Sequence, residues 1–233
     1  MSAIITKLDT HKHKFILMSI LLDISKNSIL KESLVFKWWT ALFLLYSLDR
    51  FSTDLDFDLV WKTDKKIILD EIIKILQKYG SLKDSFIKRN TIFALLSYSE
   101  LDHNIKIEVS TRWVSWEYDN KNFMWIKLKV LGIDYITANK FLALTSRNKL
   151  ANRDIYDIWF ILKNNLKINK NHIENITGKS FKDYIKDLVK FLEGLWDKYN
   201  ILDWLWTILD DKQKAFVKNN LIKETIFLLG SYL

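Results

Sequence analysis

Apolar residues recur at helical spacing between Asp9 and Lys26, with Phe15, Met18 and Leu22 on one face and Ile16 and Ile20 beside them. The pattern predicts a first helix. Leu34-Val-Phe-Lys37 reads as a short buried strand, and Thr40 to Leu48 as a short, nearly all-apolar helix. From Asp54 to Val60 acidic and apolar residues alternate, which is strand periodicity with the acids on one face. Asp64 to Tyr79 returns to the helical period, with Ile68, Ile72, Ile75 and Leu76 inward and Gly80 as a C-cap. Ser85–Ser99 and Asn104–Thr111 read as two antiparallel strands joined near Asp102-His103-Asn104, and Ile126–Val130 as a further strand. From Tyr135 onward the pattern is helical almost throughout. The expected class is α+β, with a mixed or antiparallel sheet in residues 1–131 and a helical domain at 132–233, the break falling near Gly132.

Composition narrows the picture. The 233 residues are 49% apolar and 27% charged, as in a globular protein. The absence of cysteine excludes disulfides, thiolate zinc sites and cysteine nucleophiles. The apolar run Phe15–Leu22 is interrupted by Ser19 and too short to span a membrane. Lys7, Asp9, Lys12 and Lys14 precede it, unlike a secretory signal, so a cytoplasmic protein without membrane attachment is expected. A net charge of +8 favours an anionic partner such as nucleic acid, although the lysines are scattered along the chain. Proline is absent, and 10 Trp stand against only 5 Gly, far below average glycine usage.

Asp54 and Asp56 are two apart on the predicted strand, so both carboxylates project from one face. Glu108, in Ile105-Lys-Ile-Glu-Val109, alternates likewise and is placed to add a third acid from a neighbouring strand. Such a set suits Mg²⁺, which takes a few carboxylates together with phosphate oxygens and water. A lone Asp-x-Asp more often lines the solvated face of an edge strand, and Asp58, next in the alternation, is expected to be solvated or to support the others.

Three blocks of sequence lift this pair out of that ordinary reading. The first contains Phe36, Lys37, Thr40, Ala41 and Leu42, then Arg50, Phe51, Ser52, Asp54, Leu55, Asp56 and Phe57. It resembles the signature of the abortive-infection nucleotidyltransferase toxins of the AbiEii/AbiGii type, within the polymerase β-like superfamily. Lys140-Phe-Leu-Ala-Leu-Thr-Ser-Arg147 resembles the family's second motif, and Arg153-Asp154-Ile-Tyr-Asp157 its third. On a helix Lys140 and Arg147 share one face, as do Asp154 and Asp157. A solvated helix face or a structural ion pair would use the same residues. The resemblance implies a polymerase β-like nucleotidyltransferase core with a C-terminal helical domain. It implies transfer of NMP from NTP onto RNA, at the 3′ end of tRNA, by a toxin with a cognate antitoxin. In that scheme Asp54, Asp56 and Glu108 hold Mg²⁺; Thr40, Arg50, Ser52, Arg147 and positions 38 and 39 meet the nucleotide; Lys140 neutralises phosphate; and Asp157 acts as a base or orienter.

The departure is Trp38-Trp39, where the family carries paired glycines that let backbone N–H groups reach a triphosphate. Two indoles there would block nucleotide. Either the chain is a catalytically dead binding module, or the tryptophans stand for UGA codons, which some bacterial lineages read as glycine. Trp61, Trp113 and Trp125 are further candidates for glycine, whereas Trp159 lies on an apolar helix face. A housekeeping or small-molecule nucleotidyltransferase is the remaining alternative. His11 and His13 diverge on their helix, His103 falls in a turn, and His172 is a loop or cap residue, so no histidine metal site is expected. Trp196, Trp204 and Trp206 read as core.

Overall fold

A computed structural model describes residues 9–61, 63–99, 103–112, 116–146, 151–195 and 209–233. The chain forms two compact units, Met1–Leu131 and Gly132–Leu233. Together they hold a mixed sheet and two sets of helices, an α+β architecture.

In the first unit α1 (Thr10–Lys26) is capped by Asp9, whose carboxylate accepts from the His11 and Lys12 N–H groups. There follow α2 (Ser28–Ser33), β1 (Leu34–Lys37), α3 (Trp38–Leu45), β2 (Leu55–Leu59), α4 (Lys65–Leu76), β3 (Ser81–Lys88), β4 (Thr91–Ser97), β5 (Ile105–Ser110), β6 (Tyr118–Phe123) and β7 (Ile126–Leu131). The seven described strands form one sheet in the order β3-β4-β5-β2-β1-β7-β6. β1 runs antiparallel to β2 and parallel to β7, and β2 runs parallel to β5. One face of the sheet is apolar and buried, with Phe36, Phe57, Ile92, Ala94, Leu96, Ile105, Ile107 and Val109. Helix α4 lies against β3 and β4 on that side, and α1 contacts both α4 and β7.

The differences from the sequence pattern have physical causes. Helix α3 starts two residues before Thr40 and stops at Leu45, because the chain turns at Ser47 with φ 58°. Gly80 does not cap α4, which ends at Leu76 with Gln77 as its C-cap. Glycine is needed there because a Cβ would fall 2.3 Å from the Ser97 carbonyl oxygen. Ser85–Ser99 is not one strand but parts of two, since Arg89-Asn90 makes a two-residue turn between Lys88 and Thr91. No glycine marks that turn. Strand β6 is polar and exposed at the sheet edge, so no alternation announces it.

In the second unit α5 (Ile133–Ser146) and α6 (Asn152–Lys163) are followed by α7 (Lys170–Thr177), α8 (Phe181–Glu193), α9 (Asp211–Asn219), α10 (Leu221–Leu229) and a short 3₁₀ turn. Helix α6 packs against α5 and α10 and is buried over nearly its whole length. Gly178 closes α7 in the left-handed conformation at φ 68°, the usual helix-ending role of glycine. Trp159 is buried, with its ring 4.6 Å from Phe216. Trp113, Trp196, Trp204 and Trp206 lie outside the described residues.

Candidate active site

Because β2 is a strand with Leu55 and Phe57 on the buried apolar face, Asp54, Asp56 and Asp58 are directed to the other. Register then places Asp56 beside Glu108 of β5 on one side and Lys37 of β1 on the other. The predicted trio of acids is thus brought together. The Lys106 ammonium stands 3.5 Å from Asp54 Oδ2 and 3.5 Å from Glu108 Oε2. Burial pushes the Asp56 carboxyl up to about 6; Asp54 and Glu108 add to the rise, while Lys106 and Lys37 oppose it. Burial disfavours the Lys106 charge, yet the three carboxylates around it hold its proton more firmly than usual. Of the two expectations for Asp58, solvated or supporting, the solvated one fails. The residue is buried and pairs with the buried Lys37 Nζ at 2.6 Å. Burial raises its carboxyl, against Lys37 and a hydrogen bond with Ser110.

Several side chains hold the acids in place. The fully buried Thr40 hydroxyl donates to the Asp54 carbonyl and lies 2.8 Å from Ser52 Oγ. Arg50 is buried and donates to the Phe51 carbonyl. His13, weighed in the sequence only as a metal ligand, has a different role. It is fully buried, with Nε2 3.0 Å from the Thr53 carbonyl and Nδ1 2.7 Å from the Tyr98 hydroxyl. A carbonyl only accepts, so Nε2 carries the proton, and α1 is tied to the residue before Asp54. The available signal was spacing: His13 precedes Leu17, Leu21 and Ile24 on the buried stripe of α1.

Helix α3 begins beside these acids, and its N-cap residue Lys37 makes no side-chain capping bond. Trp38 opens the helix at φ 63°, a conformation costly for an indole-bearing residue and free for glycine. Its ring stacks on Trp39 at 5.9 Å, meets Trp116 edge-on and receives the Lys37 ammonium at 5.0 Å. The Arg50 guanidinium lies 5.9 Å from the Trp39 ring. Trp61 and Trp125 are exposed, and Trp125 sits in the β6–β7 turn next to Met124, which has φ 53°.

Within the helical unit, Lys140 of α5 and Asp154 and Asp157 of α6 are fully buried together. Lys140 Nζ donates to Asp157 and lies 3.7 Å from Asp154. Arg147 lies outside the described residues. His172 is neither loop nor cap. It stands in the first turn of α7, which Asn169 caps, and burial lowers its ring pKa.

No group of three His, Asp or Glu side chains among the described residues converges tightly enough to cage a metal unaided. The donor chemistry nevertheless fits a hard divalent cation. Three carboxylates share one face of adjacent strands, and Asp56 is under enough burial and like-charge pressure to hold its proton near pH 6.

A profile of the family described as nucleotidyl transferase AbiEii toxin, type IV toxin–antitoxin system, matches residues 19–196. The chain belongs to the AbiEii family. It is a nucleotidyltransferase of a toxin–antitoxin class. Among solved structures it resembles a candidate nucleotidyltransferase from H. pylori, with TM-score 0.60 and 22% identity over 96% of this chain and 92% of that one. It also resembles JHP933 from Helicobacter pylori, with TM-score 0.60 and 21% identity over 95% and 94%. At these identities the likeness establishes the fold. A search of curated protein sequences returned no match. The AbiEii match spans the acid strand, the Lys140 helix and Asp157 alike. No described helix is long and apolar enough to cross a membrane.

Proposed function

We propose that this AbiEii-family chain transfers NMP from NTP to the 3′ end of an RNA acceptor, tRNA, as the cytoplasmic toxin of a phage-defence pair whose antitoxin restrains it. The observation that carries the reading is the row of carboxylates, Asp54, Asp56 and Glu108, beside the start of α3. Phosphoryl transfer needs positioning and charge neutralisation more than covalent chemistry. The first-turn N–H groups of α3, with the positive end of its dipole, suit the triphosphate. Thr40, Ser52, Arg50 and His13 keep the acids and this helix start in fixed relation. Asp54, Asp56 and Glu108 would hold Mg²⁺, which when bound lowers the charge on the phosphates and polarises the attacking hydroxyl. The acceptor hydroxyl attacks the α-phosphorus, the bond to the bridging oxygen breaks, pyrophosphate leaves, and the released proton passes to a carboxylate of the cluster. The motif match supports a part for Lys140 and Asp157 in the transfer as well.

Trp38 at φ 63° favours glycine as the native residue at this position and speaks against a dead binding module. The test is incubation of the Trp38→Gly, Trp39→Gly protein with labelled NTPs, Mg²⁺ and an RNA pool. Labelled RNA is expected. NTP turnover only with an added small-molecule acceptor would replace RNA as the substrate.

A further inference from the structure

The row of residues that contains the acids continues across the sheet. Glu108 on β5 faces Phe93 on β4, and Phe93 faces Phe86 on β3, so Lys37, Asp56, Glu108, Phe93 and Phe86 stand side by side on one face. With strands about 4.8 Å apart, Phe93 lies about 5 Å and Phe86 about 10 Å from Glu108 along the row. The two phenyl rings are stacked, 4.6 Å apart and 8° from parallel. On β4 and β5 the opposite face is buried while this one is half-exposed at Thr91, Phe93, Leu95, Lys106, Glu108 and Ser110. The Lys88 ammonium caps the Phe86 ring at 4.5 Å, and Lys83 and Arg89 are exposed nearby, against the single acid Asp84 on β3.

We infer that Phe86 and Phe93, with Lys88, form a stacking platform for the unpaired 3′ nucleotides of the RNA acceptor. The inference rests on the transfer reaction proposed above and adds the form of RNA it accepts. An attacking 3′ hydroxyl must end at the carboxylates, so the preceding nucleotides must lie within a few nucleotide lengths of Glu108. The stack ends on the edge strand β3, where the exposed Lys88 covers the outer face of Phe86; a base takes that face and extends the stack as the lysine swings to the phosphate backbone. Every base has a π-face, so the platform is indifferent to sequence. A blunt duplex already stacks its own bases and has none to offer. The occupant is therefore single-stranded RNA.

Anisotropy of a labelled eight-nucleotide single-stranded RNA on the full-length protein tests this directly, with the blunt duplex of the same sequence as comparison. The single strand is expected to bind in preference. Phe86→Leu with Phe93→Leu, which keeps the strands apolar, is expected to weaken it roughly tenfold, and Phe86→Tyr with Phe93→Tyr to restore it. Lys88→Ala is expected to reduce the salt dependence of binding. An unchanged thermal midpoint shows that the leucine variant is folded. Failure of the parent protein to bind the single strand, or equal affinity in the leucine variant, overturns the platform. Equal RNA affinity with lost self-association in light scattering would overturn it in favour of a second copy of the chain. The reaction itself is judged separately in the Trp38→Gly, Trp39→Gly protein. Labelled RNA with an unchanged KM in the leucine variant overturns the platform alone, whereas no labelling of any RNA overturns the reaction.

Discussion

The Thr40 hydroxyl donates to the carbonyl of Asp54, which joins the first turn of α3 to the entrance of the acid strand. A phosphate-binding helix start and a metal-binding strand are useful together only if their separation is fixed, and this bond fixes it. Thr40→Val is isosteric but leaves the Asp54 carbonyl and the Ser52 hydroxyl without their buried partner. It is expected to cost about 1–3 kcal/mol in urea unfolding and most of the transfer activity. Thr40→Ser is expected to retain both. An active Thr40→Val protein would show that the bond is incidental.

Asp56 links function to stability with a definite sign. Its carboxyl is raised from 3.8 to about 6, so the folded chain holds this proton more tightly than the unfolded one. Below pH 4 the group is protonated in both states and costs nothing. Above pH 6 it is ionised in both, and the folded state carries the penalty of a half-buried charge beside Asp54 and Glu108. Asp56→Asn is therefore expected to abolish RNA labelling yet stabilise the metal-free protein at pH 8 by ~1–3 kcal/mol. That gain fades as pH falls from 6 to 4. A destabilised Asp56→Asn protein at pH 8 would show that the carboxylate is a structural asset.

Metal binding follows from the same titration. Mg²⁺ or Mn²⁺ must displace the Asp56 proton below pH 6, so metal affinity measured calorimetrically is expected to fall about tenfold per pH unit there. Proton release, read from the buffer dependence of the heat, accompanies it. Affinity independent of pH between 5 and 7 would remove Asp56 from the metal site.

Much of this site was legible in the sequence because it rests on period-two alternation. Asp54 and Asp56 had to share a face, and Glu108 in Ile-Lys-Ile-Glu-Val had to alternate with core residues. Strand order was not legible, since nothing local says that β2 lies between β1 and β5. The choice between a solvated and a supporting Asp58 was not legible for that reason, since its partner Lys37 lies on a neighbouring strand. The hydrogen-bonding role of His13 was not legible because its partners, Thr53 and Tyr98, are distant in the chain. The Phe86–Phe93 stack was hidden behind the missed Arg89-Asn90 turn, without which the two rings cannot be assigned to facing positions.

The buried Lys140–Asp157 pair gives a contrasting prediction. Lys140→Met takes the cation away from two buried acids, Asp154 and Asp157, and is expected to cost about 3–5 kcal/mol, whereas Asp157→Leu leaves Lys140 beside Asp154 and is expected to cost less. The double substitution is expected to recover part of the loss of Lys140→Met, since one of the two acids is removed with the cation while Asp154 stays buried. If the pair only locks α5 to α6, the double variant regains activity along with stability. If Lys140 meets phosphate, the double variant is stable and inactive, the outcome expected from the motif match. The split between unfolding free energy and RNA labelling decides between them.

Trp38 and Trp39 make separable predictions because their backbones differ. Trp38 is held at φ 63°, while Trp39 is not in the left-handed region. An L-residue pays about 1–2 kcal/mol there and glycine does not, so Trp38→Gly relieves strain where Trp39→Gly relieves none. Against this, each substitution loses ring contacts: Trp38 with Trp39, Trp116 and Lys37, and Trp39 with Arg50. Both rings are half-exposed, so the lost burial is partial, and Trp38→Gly is expected to leave stability within about 1 kcal/mol. Nucleotide binding responds differently. Backbone N–H groups must come within roughly 2.7–3.2 Å of a phosphate oxygen, so the double substitution is expected to bind NTP at least tenfold more tightly than the chain with both indoles. The gene offers an independent check. If these positions are glycine codons, 38 and 39 are UGA, as are the exposed 61 and 125, while 159, packed 4.6 Å from Phe216, is UGG. Equal NTP affinity in the two proteins, with UGG at 38 and 39, would establish tryptophan as the native pair and a phosphate site that does without glycine.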